Sequence, residues 1–381
     1  MKTNYLEAKS PVLENPESSI QIGIATTFEE KREIYHLRYQ IYVEEMSMRI
    51  DNIDSSNQLV YDELDEWATL LYARKGARLI GTARINIGTL VDFSSEEAEL
   101  LSLHPFQECN AKKSKLSFVT KMMVTPDQRN SAVLYLLMAK CYDLCSQQSP
   151  FMFGICNVHL LRLYEQTGFH RYKKNVVHPN FGLTFPIVMV LDDVEHYHTV
   201  RSPLYRLARK RKPDSLDPKP VEWFYSRFTK HSSINSQLIK EEELWEYLCD
   251  RLQCPPTEAI TLLHSLTIPE AKKFLHNCSS IISCDAGDRI TTQGEMSYSY
   301  NILLYGKLQS LTFKHPIKEY AQHGQHFGTN GFTEHNMQKE DIAAITTTEV
   351  LVLSSYAFPK FSHTYPEIAH KIMRQIIKSR A

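Results

Sequence analysis

No apolar stretch of the 381-residue sequence approaches the roughly 20 residues a membrane-spanning helix needs; the longest runs, 132–139 and 185–191, read as a buried helix and a buried strand. Residues 1–19 lack the apolar centre of a signal peptide, so export is not expected. There is no excess of charge of either sign: 43 Lys and Arg face 44 Asp and Glu, giving a net charge of −1. That balance gives no reason to expect nucleic acid as a partner. The eight cysteines contain no C-x-x-C pair, and a chain of this size has no need of disulfide staples, so reduced thiols in a cytoplasm are expected. What is present is ordinary for a folded chain, with 43% hydrophobic and 23% charged residues, which excludes wholesale disorder.

The length favours two domains with a connector. Glycine marks the division: seven of the 13 lie between Gly23 and Gly182, none lies in 183–286, and six fall in 287–331. In the first zone the pattern predicts a helix over 28–45, then strands over 68–74 and 79–86 about the turn Lys75-Gly76. A strand over 117–124 leads through Thr125-Pro126-Asp127 into a helix whose stripe is Val133, Leu136, Leu137, Cys141 and Leu144. A strand over 151–156, a helix over 159–166 stopped at Gly168, and a strand over 184–191 follow. This order predicts an α/β domain on a mixed sheet, spanning 20–200.

Residues 201–256 read as a basic linker followed by connecting helices. Arg201, Arg206, Arg209, Lys210, Arg211 and Lys212 precede Pro213, Pro218 and Pro220, and Ile234, Leu238, Trp245, Leu248 and Leu252 recur at helical spacing. Thr267 with Glu270 has the form of a capping box, with Pro269 in the first turn. Within 257–381, short alternating segments at 300–304, 308–313 and 350–353 predict a small β-roll, closed by an amphipathic helix after Pro366. Of possible metal ligands, His196 with His198 and His323 with His326 lack a third partner, so no metal is expected. Cys156 beside Asn157 has no base at a recognisable spacing and reads as a structural thiol.

The run FVTKMMVTPDQRN at 118–130 and the segment LLRLYEQTGFHRY at 160–172 resemble the donor site and late helix of the GNAT acyltransferase fold. LRYQIYVEE at 37–45, YDELDEWATLLYA at 61–73 and GTARI at 81–85 resemble the N-acyl amino acid synthases and their relatives, the acyl-homoserine-lactone synthases. The resemblance implies transfer of an acyl group, often long-chain and carried on acyl carrier protein, to the amine of an amino acid or related metabolite. By position it places Arg38, Asp62, Asp65 and Arg84 among the recurrent charged residues and Lys121 where lactone synthases carry Arg. Phe118 stands near the place of their acidic residue, which speaks against lactone formation.

Amine acylation needs a neutral amine, donors aimed at the oxyanion and an acid for the leaving thiolate. The residues expected in these roles are Asp62 or Asp65 at the amine, backbone N–H groups around Met123 and Val124 at the oxyanion, and Tyr164 at the thiolate. Arg38, Arg84 and Lys121 are expected to bind substrate. The donor loop Arg129-Asn130-Ser131 leads into the helix without a glycine, so side chains would crowd a coenzyme A pyrophosphate. The donor is therefore expected to be an acyl-phosphopantetheine thioester on acyl carrier protein rather than acyl-CoA, with Arg129 and the 201–212 cluster facing that acidic partner.

The glycines at 287, 294, 306, 324 and 328 with Phe327-Gly328 and 350–353 resemble a cyclic-nucleotide-binding domain. That family holds the ribose with Glu after Phe-Gly and the phosphate with Arg nine or ten residues later. Here Gly328 is followed by Thr329, and the later place holds Gln338 or Lys339, so binding of a cyclic nucleotide is not expected. The fold expected is thus a GNAT-like α/β domain joined by helices to a β-roll of cyclic-nucleotide-binding type. The function the resemblance implies is that of an N-acyltransferase with a regulatory roll; a non-catalytic docking protein and a coenzyme A-dependent lysine acyltransferase stay open as alternatives.

Overall fold

The computed structural model describes residues 19–48, 50, 53–109, 111–178, 182–228, 238–311 and 318–378. In the first part, chain order is β1 (Ile20–Ile24), α1 (Phe28–Tyr39), β2 (Thr69–Lys75), β3 (Arg78–Gly88), α2 (Ser95–Leu100) and β4 (Leu116–Val124). There follow α3 (Val133–Ser146), β5 (Phe151–Asn157), α4 (Leu161–Thr167), β6 (His170–Arg171), β7 (Val176–His178) and β8 (Gly182–Val190). The strands form one sheet in the order β1-β2-β3-β4-β5-β8-β6, with β7 also on β8.

Every pair in this sheet is antiparallel except β4 with β5, which run parallel and pair only at Ser117–Met152 and Phe118–Phe153. Beyond Phe118 no register joins the two strands, leaving a gap in the sheet. Local chemistry fixes the elements around it. Thr27 and Glu30 cap the start of α1 reciprocally, through bonds of 3.1 and 3.2 Å. The helix then loosens into a π-helical turn over Gln40–Glu45. Gly168 ends α4 at φ 114°, where a Cβ would fall 2.5 Å from the Tyr197 ring.

The segment expected as a linker is packed instead. After α5 (Val194–Thr199) come α6 (Tyr205–Arg209) and α7 (Pro218–Phe228), and Leu204 and Ala208 are fully buried in the same cluster as the α3 face of the sheet. Phe224 joins the aromatic cluster on the other face, where Phe106 meets Phe151, Phe153 and Tyr172 edge-on. The proline-rich composition of 213–220 marks helix starts and turns, not a free tether.

The helices α8 (Glu241–Leu252), α9 (Pro256–Ala259) and α10 (Ile268–Cys278) lead into the second part. Thr267 and Glu270 form the predicted capping box, and Trp245, Leu248 and Leu252 are buried. Leu238 is exposed and Ile234 lies outside the described residues. The roll comprises β9 (Ser279–Cys284), β10 (Arg289–Thr291), β11 (Met296–Ser297), β12 (Ser299–Tyr305) and β13 (Leu308–Ser310). It continues with β14 (Glu319–Tyr320), β15 (His326–Phe327), β16 (Asn336–Met337), β17 (Ile342–Ala344) and β18 (Thr348–Ser354). Two antiparallel sheets, β15-β12-β18-β9 and β10-β17-β13-β14, and the pair β11-β16 make it up; α11 (Phe358–Thr364) and the predicted closing helix α12 (Pro366–Lys378) pack beside them.

The two parts share a core. One apolar cluster runs from Leu137 of α3 and Ile187 and Met189 of the first sheet to Ile282, Leu303 and Val350 of the roll. Polar bonds cross the same interface: Arg162 donates to the Ser279 carbonyl at 3.0 Å, Arg171 to the Ile281 carbonyl at 2.9 Å, and Ser354 to the His159 carbonyl at 2.5 Å.

Candidate active site

The gap between β4 and β5 opens into a cavity of about 1580 Å³. One end holds the charged residues singled out in the sequence. Arg38, with no exposed surface, donates to Asp65 Oδ2 at 2.8 Å, and Arg84 approaches the same oxygen at 3.3 Å. Arg84 also bonds the Asp62 carboxylate and gives Nε to Thr120 at 2.9 Å, while Lys121 Nζ lies 3.0 Å from Asp62 Oδ2. Asp62 and Asp65 are fixed to each other by the short helical turn between them, in which the Asp62 N–H donates to Asp65 Oδ2 at 3.0 Å. Thus Arg38, Asp62, Asp65, Arg84 and Lys121 form one network.

Their positions in it differ. Asp62, whose side chain is 44% exposed, faces the cavity with Arg84 and Lys121. Arg38 lies behind the wall, so its place is to hold Asp65 rather than to touch a ligand. Lys121 sits on a bulge of β4 at φ 49°, between the register pairs Arg84–Thr120 and Thr82–Met123. Burial pushes its ammonium down to about 8, helped by the repulsion of Arg84 and opposed by Asp62. Burial raises the Asp62 carboxyl, but the charges of Arg84 and Lys121 outweigh it and hold the group below its ordinary range.

Methionine recurs in the rest of the lining, where Met46, Met48, Met122, Met123 and Met138 stand with Leu134, Ile155 and Leu160, beside polar groups such as Glu96, Glu97, Asn130 and Ser131. Unbranched thioether side chains adapt to flexible apolar ligands. Tyr164 lies in the wall edge-on to Phe169, and burial pushes its hydroxyl well up, so it stays protonated. Cys156, also in the wall, is buried and its thiol is likewise raised. The eight cysteines are unpaired, and no group of three metal-ligating side chains occurs among the described residues.

The backbone separates the two expected oxyanion donors. Thr125 N–H donates to the Ile80 carbonyl at 3.0 Å, and Met123 pairs with Thr82. By strand alternation the Val124 N–H points away from β3, into the gap, whereas that of Met123 faces β3. In the donor loop, Asn130 takes φ 69°, the conformation a glycine would supply. Ser131 donates to the Gln128 carbonyl at 2.6 Å and accepts from Val133 N–H at 3.3 Å. Arg129 is not free for an acidic partner: its two terminal nitrogens clasp Glu45 at 2.5 and 2.7 Å, a pairing 84 residues apart that sequence spacing does not signal. The exposed Arg201, Arg206, Arg209, Lys210 and Lys212 make no ion pair among the described residues and flank Pro203, which lines the cavity.

In the roll, Gly328, Thr329 and Gln338 satisfy one another. The Thr329 N–H donates to Gln338 Oε1 at 2.8 Å, the Lys339 N–H to Thr329 Oγ1 at 3.2 Å, and Gly328 at φ 73° leaves only 3.3 Å between a would-be Cβ and Gln338. The Lys339 side chain is exposed. The cavity beside them measures about 70 Å³, against ligand pockets of about 300–1,000 Å³. Glu295 is the charged residue in its described lining, and His159 there is held neutral, pushed down to about 3 by burial first and then by His335 and Arg129. A phosphate would enter without a counter-charge. Titration of the full chain with cyclic AMP and cyclic GMP by calorimetry should therefore give no saturable heat at micromolar ligand; such binding, lost in Lys339→Ala, would reverse this reading.

Comparison with known proteins agrees with the first half of this picture. Residues 33–191 match the family described as N-acyl amino acid synthase FeeM. Among solved structures, FeeM from uncultured soil microbes aligns at 14% identity and TM-score 0.38, over 50% of this chain and 98% of that one. Escherichia coli ElaA aligns at 16% and 0.32, over 45% and 99%. A cyclic nucleotide-binding domain from Methylobacillus flagellatus aligns at 15% and 0.30, over 35% and 75%. No curated protein matches the chain. Of the described helices, none is long and apolar enough to cross a membrane.

Proposed function

We propose that this FeeM-type domain acylates the amine of an amino acid, taking a long acyl chain from a phosphopantetheine thioester on acyl carrier protein. The observation that carries the reading is a single cavity, opening where β4 and β5 part, whose lining combines a charged network with five methionines. Within the buried network itself three cations, Arg38, Arg84 and Lys121, face two carboxylates, Asp62 and Asp65, while Glu63, Glu66, Glu96, Glu97 and Lys31 stand elsewhere in the lining. One positive charge is left over while Lys121 is protonated, which suits an acceptor bearing a carboxylate.

The amine of that acceptor lies against Asp62, which stays ionised and exposed to the cavity. It attacks the thioester carbonyl, the oxyanion takes the Val124 N–H, and Tyr164 gives its proton to the departing pantetheine thiolate. The bound ammonium first gives a proton to solvent so that a neutral amine attacks; the second proton, released as the amide forms, passes to solvent or to Asp62, and solvent returns a proton to Tyr164. The carrier is favoured over coenzyme A because the donor loop has no glycine, and a carrier brings one phosphate and an acidic surface of its own. With Arg129 held by Glu45, that surface meets the free cations on either side of Pro203.

The test is reconstitution of the full chain with acyl carrier protein thioester and amino acids, read by mass spectrometry. Product should form, its rate should fall as salt rises, and Arg209→Glu with Lys210→Glu should raise the KM for the carrier about tenfold with little change in kcat. Tight coenzyme A binding by calorimetry, with turnover independent of carrier and salt, would overturn the donor assignment.

A further inference from the structure

Among the described residues that line the large cavity, all come from positions up to 203 except Tyr356, which the roll supplies from the turn after β18. Its placement is built rather than incidental. The Ser354 hydroxyl donates to the His159 carbonyl at 2.5 Å and accepts the Tyr356 N–H at 3.2 Å, tying the turn to the segment that leads into α4 and Tyr164. The His159 ring and two roll tyrosines form a three-ring cluster: His159 stacks on Tyr356 at 5.7 Å and tilts against Tyr298 at 4.8 Å, and the two tyrosines meet at 6.0 Å. His335 meets Tyr298 edge-on at 4.4 Å. His159 and Arg129, which is clasped to Glu45, also line the cavity, and the Tyr356 hydroxyl lies within electrostatic reach of that pair.

These contacts put the roll at the donor end. β4 and β5 are parallel, so the loop after β4, with Arg129, and the segment after β5, with His159, leave the sheet at the same edge. A pantetheine chain passing from the loop to the Val124 N–H runs between them. We propose that Tyr356 forms the wall on that path, its ring and neutral hydroxyl packing against the pantetheine chain. The roll is then part of the transferase cavity, and Tyr356 sets donor affinity and the acyl length that fits. This rests on the donor assignment proposed above.

The experiment uses the full chain and S-hexadecyl-pantetheine, a thioether that binds without transferring its chain, with calorimetry for affinity and thermal melting for folding. Tyr356→Ala should weaken the probe about tenfold, and Tyr356→Phe, which keeps the ring, should stay within about threefold of wild type. In turnover, Tyr356→Ala should raise the KM for the thioester donor while the KM for the amino acid holds. Tyr356→Trp, which narrows the wall and covers the case in which the alanine variant does not fold, should shift preference to shorter acyl chains. Wild-type probe affinity and chain preference in the folded variants would overturn the inference. Failure of wild type itself to bind the probe would instead overturn the donor assignment.

Discussion

Asp65→Asn should cost the folded chain roughly 3–5 kcal/mol and remove N-acylation as well, because it takes the shared charge from two buried arginines. Arg38 and Arg84 are 0% and 3% exposed, and both face Asp65 Oδ2. Asparagine keeps the shape but leaves those cations short of a counter-charge and turns one acceptor into a donor. Asp62→Asn should behave differently. Its carboxylate opens to the cavity and carries part of its solvation from water, so melting should move little while product formation falls by about 10²-fold or more. Urea unfolding and mass spectrometry of product, run on both variants, separate structural from catalytic loss. Equal melting of the two variants, or full activity in Asp62→Asn, would contradict this division.

The second large effect lies at the join between sheet and roll. Arg171 Nε holds Glu165 Oε1 at 2.7 Å, with side chains 6% and 1% exposed, and the same guanidinium reaches the Ile281 carbonyl. Glu165 Oε2 has no partner, and burial already raises its carboxyl despite the nearby Arg171. Arg171→Met should therefore cost roughly 3–5 kcal/mol, since it strands a buried carboxylate. Adding Glu165→Leu should restore most of that loss, because an apolar pair of similar volume needs no counter-charge. Urea unfolding of the single and double variants reads both numbers. A single variant within about 1 kcal/mol of wild type would show that water already reaches Glu165.

How much of this was legible in the sequence depends on the range of the interaction. The capping pair Thr267–Glu270, the stop at Gly168 and the succession of the main strands and helices along the first part are local or periodic signals, and they were readable. Arg38, Asp62, Asp65 and Arg84 were singled out by position through the resemblance, and their convergence fits the need of buried charges for partners. What escaped is long-range. Glu45 claims Arg129 across 84 residues, and Ser354 reaches His159 across 195, contacts no spacing encodes. The basic run after Val200 looked like a solvated tether because its charges dominate, yet Leu204 and Ala208 anchor it in the core. The short strands β6 and β7 carry too few residues for any period to show.

The bulge at Lys121 works as a change of phase in β4. In an unbroken strand Val119 and Val124 would face opposite sides, being an odd number of residues apart. Both instead enter the cluster on the α3 face, while Phe118 goes to the aromatic cluster on the other. The inserted residue lets the first half of the strand obey one alternation and the second half the other. A cation that would have pointed into a packed layer is thereby set beside Asp62. Deleting Lys121 would restore a regular strand, with Met123 still opposite Thr82 and Val124 opposite Gly81, and the groups after it would keep their faces; what would be lost is the cation beside Asp62.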